Sequence, residues 1–285
     1  MSRTAITTDS GVAIDLAGVS TIPLVVVDDE TGQSFLDQRE ISIREVYRLR
    51  DEGHRIITSC MTPYDMETFF ERQLEAHDQI LHLSMSDKIS AGSYECSAMV
   101  AAKLDAQRIR VVNSKQGGAG GAQLALRALL AAEREDNLDR LAAQLEQELV
   151  PRIATSFIVP DPSGYRRSGK GMVNTFINMG ISALTSGGGF PLIKINNSGK
   201  LMPYSKLKPG GENMYLAFAK TFLDERHMAD KTISIATLDP DEAALIPLRE
   251  WLEQQGYKVS YSTMSAVIAS YACKDTLGIS YLQKA

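Results

Sequence analysis

The first half of the chain repeats one unit: a short apolar run that closes in hydroxyl or carboxylate residues and gives way to a helical pattern. Ala5-Ile6-Thr7-Thr8-Asp9-Ser10 is the first such run, and residues 22–27, 55–58, 80–84 and 109–114 repeat it. Strands that alternate with helices build βαβ units and a mostly parallel sheet. Helix starts are legible between the runs. Ser42 with Glu45 has capping-box spacing, Thr62 stands before Pro63, and Asn137 precedes an apolar stripe of Leu138, Leu141, Leu145 and Leu149. Met66, Phe69, Phe70 and Leu74 recur at helical spacing and read first as core, with a cavity lining as the sharper alternative.

Pro151 ends the last of these helices, and the pattern changes after it. The second half carries strand-like runs at 157–159, 191–195, 201–204, 232–236, 257–261, 266–271 and 278–282. Asn196-Asn197-Ser198-Gly199 separates two of them as a hairpin turn. Two helical patterns lie between them, at about 211–224 and 242–255. The expected architecture is α/β in two domains. Residues 1–155 form an N-terminal α/β domain with a mostly parallel sheet and flanking helices. Residues 156–285 form a C-terminal α+β domain with a mixed or antiparallel sheet. A length of 285 residues suits two modest domains.

In an open parallel sheet, ligands bind outside the carboxyl ends of the strands. Hydroxyls cluster at those ends here: Ser10, Thr58 and Ser59, then Ser84, Ser86 and Ser90, then Ser114. Each stands close to a helix start, where free N–H groups and a partial positive charge favour an anion. Singly, each of these serines reads as a cap or turn former; together they outline a site for a carboxylate or phosphate with neutral donors.

Several chemistries lack their residues. The glycines from Gly117 to Gly121 have neither the Gly-Lys-Ser/Thr ending of a nucleotide loop nor dinucleotide spacing. No Gly-x-Ser-x-Gly elbow is present. The four histidines are scattered, and His82 inside an apolar strand reads as a satisfied core residue. Asp9 is the best single acid, or else an acceptor that orients its own turn. No catalytic residue and no metal ligand set is nominated. The three cysteines, Cys60, Cys96 and Cys273, have no metal spacing and read as free thiols. A net charge of −5 gives no general attraction to nucleic acid. With no apolar stretch of spanning length, the cytoplasm is the expected location.

The order of these segments resembles the DegV family along nearly the whole chain. Thr8-Asp9-Ser10 resembles its opening strand, and Ile22-Pro23-Leu24 its second. Thr58-Ser59-Cys60-Met61-Thr62-Pro63 resembles its Thr-Ser-x-Pro turn. Ser86-Asp87-Lys88-Ile89-Ser90-Ala91-Gly92-Ser93-Tyr94 is similar to its Ser-Ser-x-Leu-Ser-Gly-Thr-Tyr segment, and Asn113-Ser114 to its Asp-Ser turn. The stretch from Phe157 to Lys170 resembles its Phe-Val-Leu to Gly-Gly-Arg segment. Residues 267–271 and 277–279 are similar to its last two strands.

The resemblance implies a bacterial protein that holds a long-chain fatty acid in an apolar tunnel between two domains, with the carboxylate on hydroxyls. It implies a ligand rather than a cofactor, and a carrier rather than an enzyme. Thr58, Ser59, Ser86, Ser90, Ser93, Ser114, Lys170 and Tyr271 are the expected fatty-acid-binding residues. It further implies a fatty acid kinase subunit as partner, with transient membrane or acyltransferase contact. Here Tyr271 stands where the family has a histidine, and Lys170 where it has an arginine. Phe190-Pro191 replaces a Lys-Pro, Asn113 replaces an aspartate, and Ala91 is an extra residue. A tyrosine donates a hydrogen bond without charge, and a lysine loses the guanidinium fork. Two other readings stay open: an enzyme acting on a small anionic metabolite in the interdomain cleft, and a regulatory protein whose ligand site has decayed.

Overall fold

The computed structural model describes residues 3–12, 15–161, 188–208 and 210–285. Its first sheet has four parallel strands. β1 (Thr4–Asp9) lies at the centre, between β2 (Val19–Ile22) and β6 (Gln79–Ser84), and β7 (Ile109–Asn113) forms the far edge. Five consecutive residues of both β1 and β6 are buried, as befits strands covered on both faces. The helices expected between strands are present. They are α1 (Ile43–Asp51), α2 (Pro63–Ala76), α3 (Ala91–Asp105), α4 (Ala119–Ala132) and α5 (Leu138–Gln144). Thr62 and Asp65 form a full capping box on α2, and Asn137 caps α5. Ser42 caps α1 through the Glu45 N–H, but the Glu45 carboxylate turns to Arg48 and leaves the box half made. After α5 a π turn (Leu145–Leu149) and a 3-10 turn (Val150–Arg152) lead out of this lobe.

Two strands expected in the parallel sheet leave it. The run at 22–27 is broken: β2 ends at Ile22, and β3 (Val25–Asp28) enters a separate antiparallel sheet. Its partners are β4 (Gln33–Leu36) and β5 (Ile56–Ser59), so the run at 55–58 is antiparallel to β3 rather than parallel to β1. Pro23 has no N–H to extend the ladder. The next N–H, on Leu24, is taken by the Ser10 hydroxyl at 3.0 Å.

The second sheet opens with β8 (Ile153–Ile158). It continues with β9 (Phe190–Ile195), β10 (Leu201–Leu207), β11 (Met228–Thr237), β12 (Lys258–Thr263) and β13 (Leu277–Gln283). The order is β10-β9-β8-β13-β11-β12, and only β11 and β12 run parallel. This is the mixed sheet expected. α6 (Met214–Phe222) and α7 (Glu242–Gln254) cover one face through Tyr215, Phe218, Leu245 and Leu248. The other face meets α4 and the turn before it: Ser234 donates to Gln123 of α4 at 2.8 Å, and Thr155 to Gln116 of that turn at 2.8 Å.

Residues 266–271 are a correction. Val267 and Ile268 suggest a strand, but Ala266–Ala269 is a single helical turn, α8. Propensity yields here to tertiary bonds. Ser265 caps the turn, the Asp37 carboxylate accepts the Ala266 N–H at 3.0 Å, and the Arg50 guanidinium takes the carbonyls of Ala269 and Ala272.

Candidate ligand-binding cavity between the sheets

A cavity of about 310 Å³ lies between the small antiparallel sheet, the ends of the parallel strands and the second sheet. Each wall follows from a local pattern. On the β9–β10 hairpin, strand alternation turns Ile193, Ile195 and Leu201 inward. Met85 and Ile89 come from the turn after β6, and Phe157 from β8. Gly117 and Gly118 bring bare backbone to the wall before α4. Gly118 has φ +54, and a Cβ there would stand 3.4 Å from the Phe157 ring and 3.5 Å from Met264 Sδ. Val267, Ile268 and Tyr271 come from α8 and the turn after it.

The polar part of the lining is small and neutral. It consists of Thr58, Ser59, Cys60, Ser90, Tyr271 and Thr276, and no charged side chain is among the described residues of the wall. Thr58 Oγ1 and the Tyr271 hydroxyl are 2.7 Å apart. One of the two must donate to the other, which leaves one O–H and several lone pairs to face a ligand. Ser59 is exposed and donates to the Cys60 carbonyl at 3.2 Å, and Ser90 meets Ser93 at 2.8 Å.

The remaining expected residues sit elsewhere. Ser93 is fully buried behind Ser90 and does not line the cavity. Ser86 and Ser114 are buried and committed to the chain itself. Ser86 donates to the Gly199 carbonyl at 2.8 Å, and Ser114 to the Gln116 carbonyl at 3.1 Å. The tip of the β9–β10 hairpin thus rests on the carboxyl ends of β6 and β7, where an open parallel sheet would otherwise take a ligand. Only a glycine fits there: Gly199 has φ +84, and a Cβ would lie 2.2 Å from Ser86 Oγ. Lys170, with Arg166 and Arg167, lies outside the described residues.

Asp9 supports the site from behind. Its carboxylate accepts from the Gly11 N–H at 3.0 Å, the Met85 N–H at 2.8 Å and the Ser84 hydroxyl at 3.3 Å. Burial pushes its pKa up to about 6 despite these donors. It orients turns, including the one that presents Met85. His82 is fully buried between the Thr7 and Ser97 hydroxyls, and burial lowers its pKa to about 3. It is a neutral core residue, as expected. Met66 and Phe70 are likewise core and do not reach the cavity.

Sequence reading missed Cys60, Phe157, Met264 and Thr276 as lining residues. The alternation of Ile193 and Ile195 was the one available signal for the hairpin wall. The three cysteines are free thiols. Among the described residues no group of three or more His, Cys, Asp or Glu is placed to hold a metal ion, and no helix is long and apolar enough to cross a membrane.

Comparison with known proteins places this geometry in a family. A curated relative, a DegV domain-containing protein of Caldanaerobacter subterraneus subsp. tengcongensis, is 28% identical over 158 residues. That match spans 54% of this chain and 55% of the relative, so the chain covers about half the length of the curated protein it matches. Solved structures match over nearly the whole chain. One describes fatty acid binding of a DegV family protein from Thermus thermophilus, with TM-score 0.79, 24% identity and coverage of 99% of this chain and 100% of that one. Another is a DegV family protein of Eubacterium eligens loaded with heptadecanoic acid, with TM-score 0.80, 16% identity and coverage of 99% and 100%. A third is DegV, a fatty acid binding protein from Bacillus subtilis, with TM-score 0.76, 19% identity and full coverage of both chains. At these identities the structures share the fold. The family model described as "Uncharacterised protein, DegV family" matches residues 3–284, and the chain belongs to the DegV family.

Proposed function

We propose that this protein binds a long-chain fatty acid in the cavity between its two lobes, about residues 1–155 and 156–285. The carboxylate lies at the Thr58–Tyr271 pair, with Ser59 and Ser90 nearby. The observation that carries this reading is the lining itself: aliphatic, aromatic and thioether side chains, a few hydroxyls, and no charged group among its described residues. Burying an acyl chain contributes about 0.8 kcal/mol per CH₂, so affinity needs few polar contacts. Such a wall suits an amphiphile and would leave a small, highly charged metabolite without partners. Lys170 is a further candidate for the polar end. The fatty-acid-binding relatives support the same reading.

In this reading the protein is a cytoplasmic carrier. Any phosphorylation of the bound acid belongs to a separate kinase subunit, and delivery involves brief contact with a membrane or an acyltransferase. The test is native mass spectrometry of the freshly purified protein, followed by organic extraction. An added mass that extracts as a long-chain fatty acid is the expected result. An apo mass that stays unchanged after incubation with a panel of fatty acids would overturn the proposal.

A further inference from the structure

The cavity wall that carries Tyr271 is held from both ends by side chains of a different part of the molecule. α8 is four residues long, and a single helical turn is marginal by itself, because nucleation fixes several residues for one hydrogen bond. At its start, Asp37 Oδ1 accepts the Ala266 N–H at 3.0 Å, while Oδ2 accepts the Ser10 hydroxyl at 2.5 Å. At its end, Arg50 Nη1 donates to Ala269 O at 2.7 Å and to Ala272 O at 2.8 Å. Both residues are nearly inaccessible, at 1% and 8% exposure, so neither is a surface charge that met the turn by chance. Arg50 is 219 and 222 positions away from the carbonyls it binds. The two carbonyls flank Tyr271, whose hydroxyl meets Thr58 on β5.

We infer that Arg50, with Asp37 at the opposite end, is a positioning residue for the polar end of the ligand: it fixes residues 266–272 so that the Tyr271 hydroxyl stays against Thr58. Arg50 does not line the cavity and touches no ligand. It acts through the segment it holds, which carries Tyr271 at the polar end and Val267 and Ile268 on the apolar wall, so a loss larger for the acid than for its ester is what marks an effect on the carboxylate. A charged donor is suited to this task, since hydrogen bonds from a guanidinium are shorter and stronger than those from a neutral group. A lysine in its place still reaches with several donors, whereas a methionine fills the volume with none.

This inference rests on the placement of the carboxylate at Thr58 and Tyr271, and its test has two parts. In the first, 3-fluorotyrosine is placed at position 271 alone and observed by fluorine NMR in the ligand-free protein. A single sharp resonance is expected in the parent, a broadened or multiple one in Arg50→Met, and a single one again in Arg50→Lys. In the second, a fluorescent fatty acid is displaced by hexadecanoic acid or by its methyl ester. Arg50→Met is expected to lose about tenfold in affinity for the acid and less than about twofold for the ester, with Arg50→Lys within about threefold of the parent. Equal losses for acid and ester, no loss for either, or an unchanged Tyr271 resonance would overturn the inference. Should Arg50→Met fail to fold, Asp37→Asn, which removes the charge at the other end of the turn, takes its place in both measurements. A parent chain that binds acid and ester equally would overturn the carboxylate placement itself, and the inference with it, before any variant is made.

Discussion

The hydroxyls of Thr58 and Tyr271 meet at 2.7 Å although 213 positions separate them. One comes from the end of a strand in the small antiparallel sheet, the other from the turn after α8 in the second lobe. The pair joins the two lobes at the cavity wall. Both groups are neutral hydrogen-bonding hydroxyls, and their mutual bond keeps each from being a buried, unsatisfied polar atom when the cavity is empty.

Thr58→Val is therefore expected to weaken fatty acid binding without unfolding the protein. The variant keeps the shape and the β-branched character of a strand residue. It removes one donor-acceptor and leaves the Tyr271 hydroxyl alone. A hydrogen bond to a charged group contributes about 1.5–3 kcal/mol, so affinity for the acid should fall by at least about tenfold. Tyr271→Phe should do the same, and the double variant should lose less than the sum, because the two groups are in contact. Titration with a fluorescent fatty acid measures all three. Unchanged affinity in both single variants would remove these residues from the site.

Much of this fold was legible in the chain. The parallel strands show because their apolar runs are continuous, and the caps at Thr62 and Asn137 show because capping is a local matter of side chain and adjacent N–H groups. The departures share one cause. Whether 22–27 stays in one sheet depends on Ser10 and Asp37, which bind backbone around Leu24. Whether 266–271 is a strand or a turn depends on Arg50 and Asp37. None of these partners is a sequence neighbour. The site divides the same way. Hydroxyls at strand ends were visible, but the hairpin tip that occupies Ser86 arrives from residue 199. The candidate site keeps the hydroxyls that still face the cavity, Thr58, Ser59, Ser90 and Tyr271.

The hairpin tip itself is open to test. Gly199→Ala places a Cβ 2.2 Å from Ser86 Oγ and 3.3 Å from Lys115 Cα, at a backbone angle of φ +84. The left-handed conformation alone costs about 1–2 kcal/mol for a residue with a Cβ, and the contact with Ser86 adds to it. A fall in thermal midpoint is expected, together with weaker ligand binding, since Ile193, Ile195 and Leu201 belong to the same hairpin. Adding Ser86→Gly should recover the part due to the clash and leave the part due to φ. A Gly199→Ala protein as stable as the parent would mean that the tip does not rest on Ser86.

The pH dependence of stability holds opposed contributions from the buried Asp9 and His82, and their separation is a sharp stability test. Asp9 has a folded pKa of about 6, above the roughly 3.9 of an unfolded aspartate. Between those values the folded state binds the extra proton, so this group stabilises the fold at low pH and loses that contribution as pH rises through 6. His82 has a folded pKa of about 3 against roughly 6.5 unfolded. There the unfolded state binds the extra proton, so stability is present above 6.5 and falls as pH drops below it. From pH 7 to 5 the Asp9 contribution gains about 1 kcal/mol and the His82 contribution loses about 2 kcal/mol, by the linkage relation. The two therefore partly offset each other over this range. Asp9→Asn, compared with the parent by urea unfolding at both values, should lose stability from pH 7 to pH 5 by about 1 kcal/mol more. The lowered carboxylate pKa values of Asp28 and Asp230 act only below about pH 4 and stay outside this window; burial raises the Asp37 pKa, which acts in the same direction as Asp9 and is common to parent and variant, so it cancels in their comparison. A parent and an Asp9→Asn variant with the same pH slope would show that the buried carboxylate is ionised throughout, held so by Gly11, Met85 and Ser84.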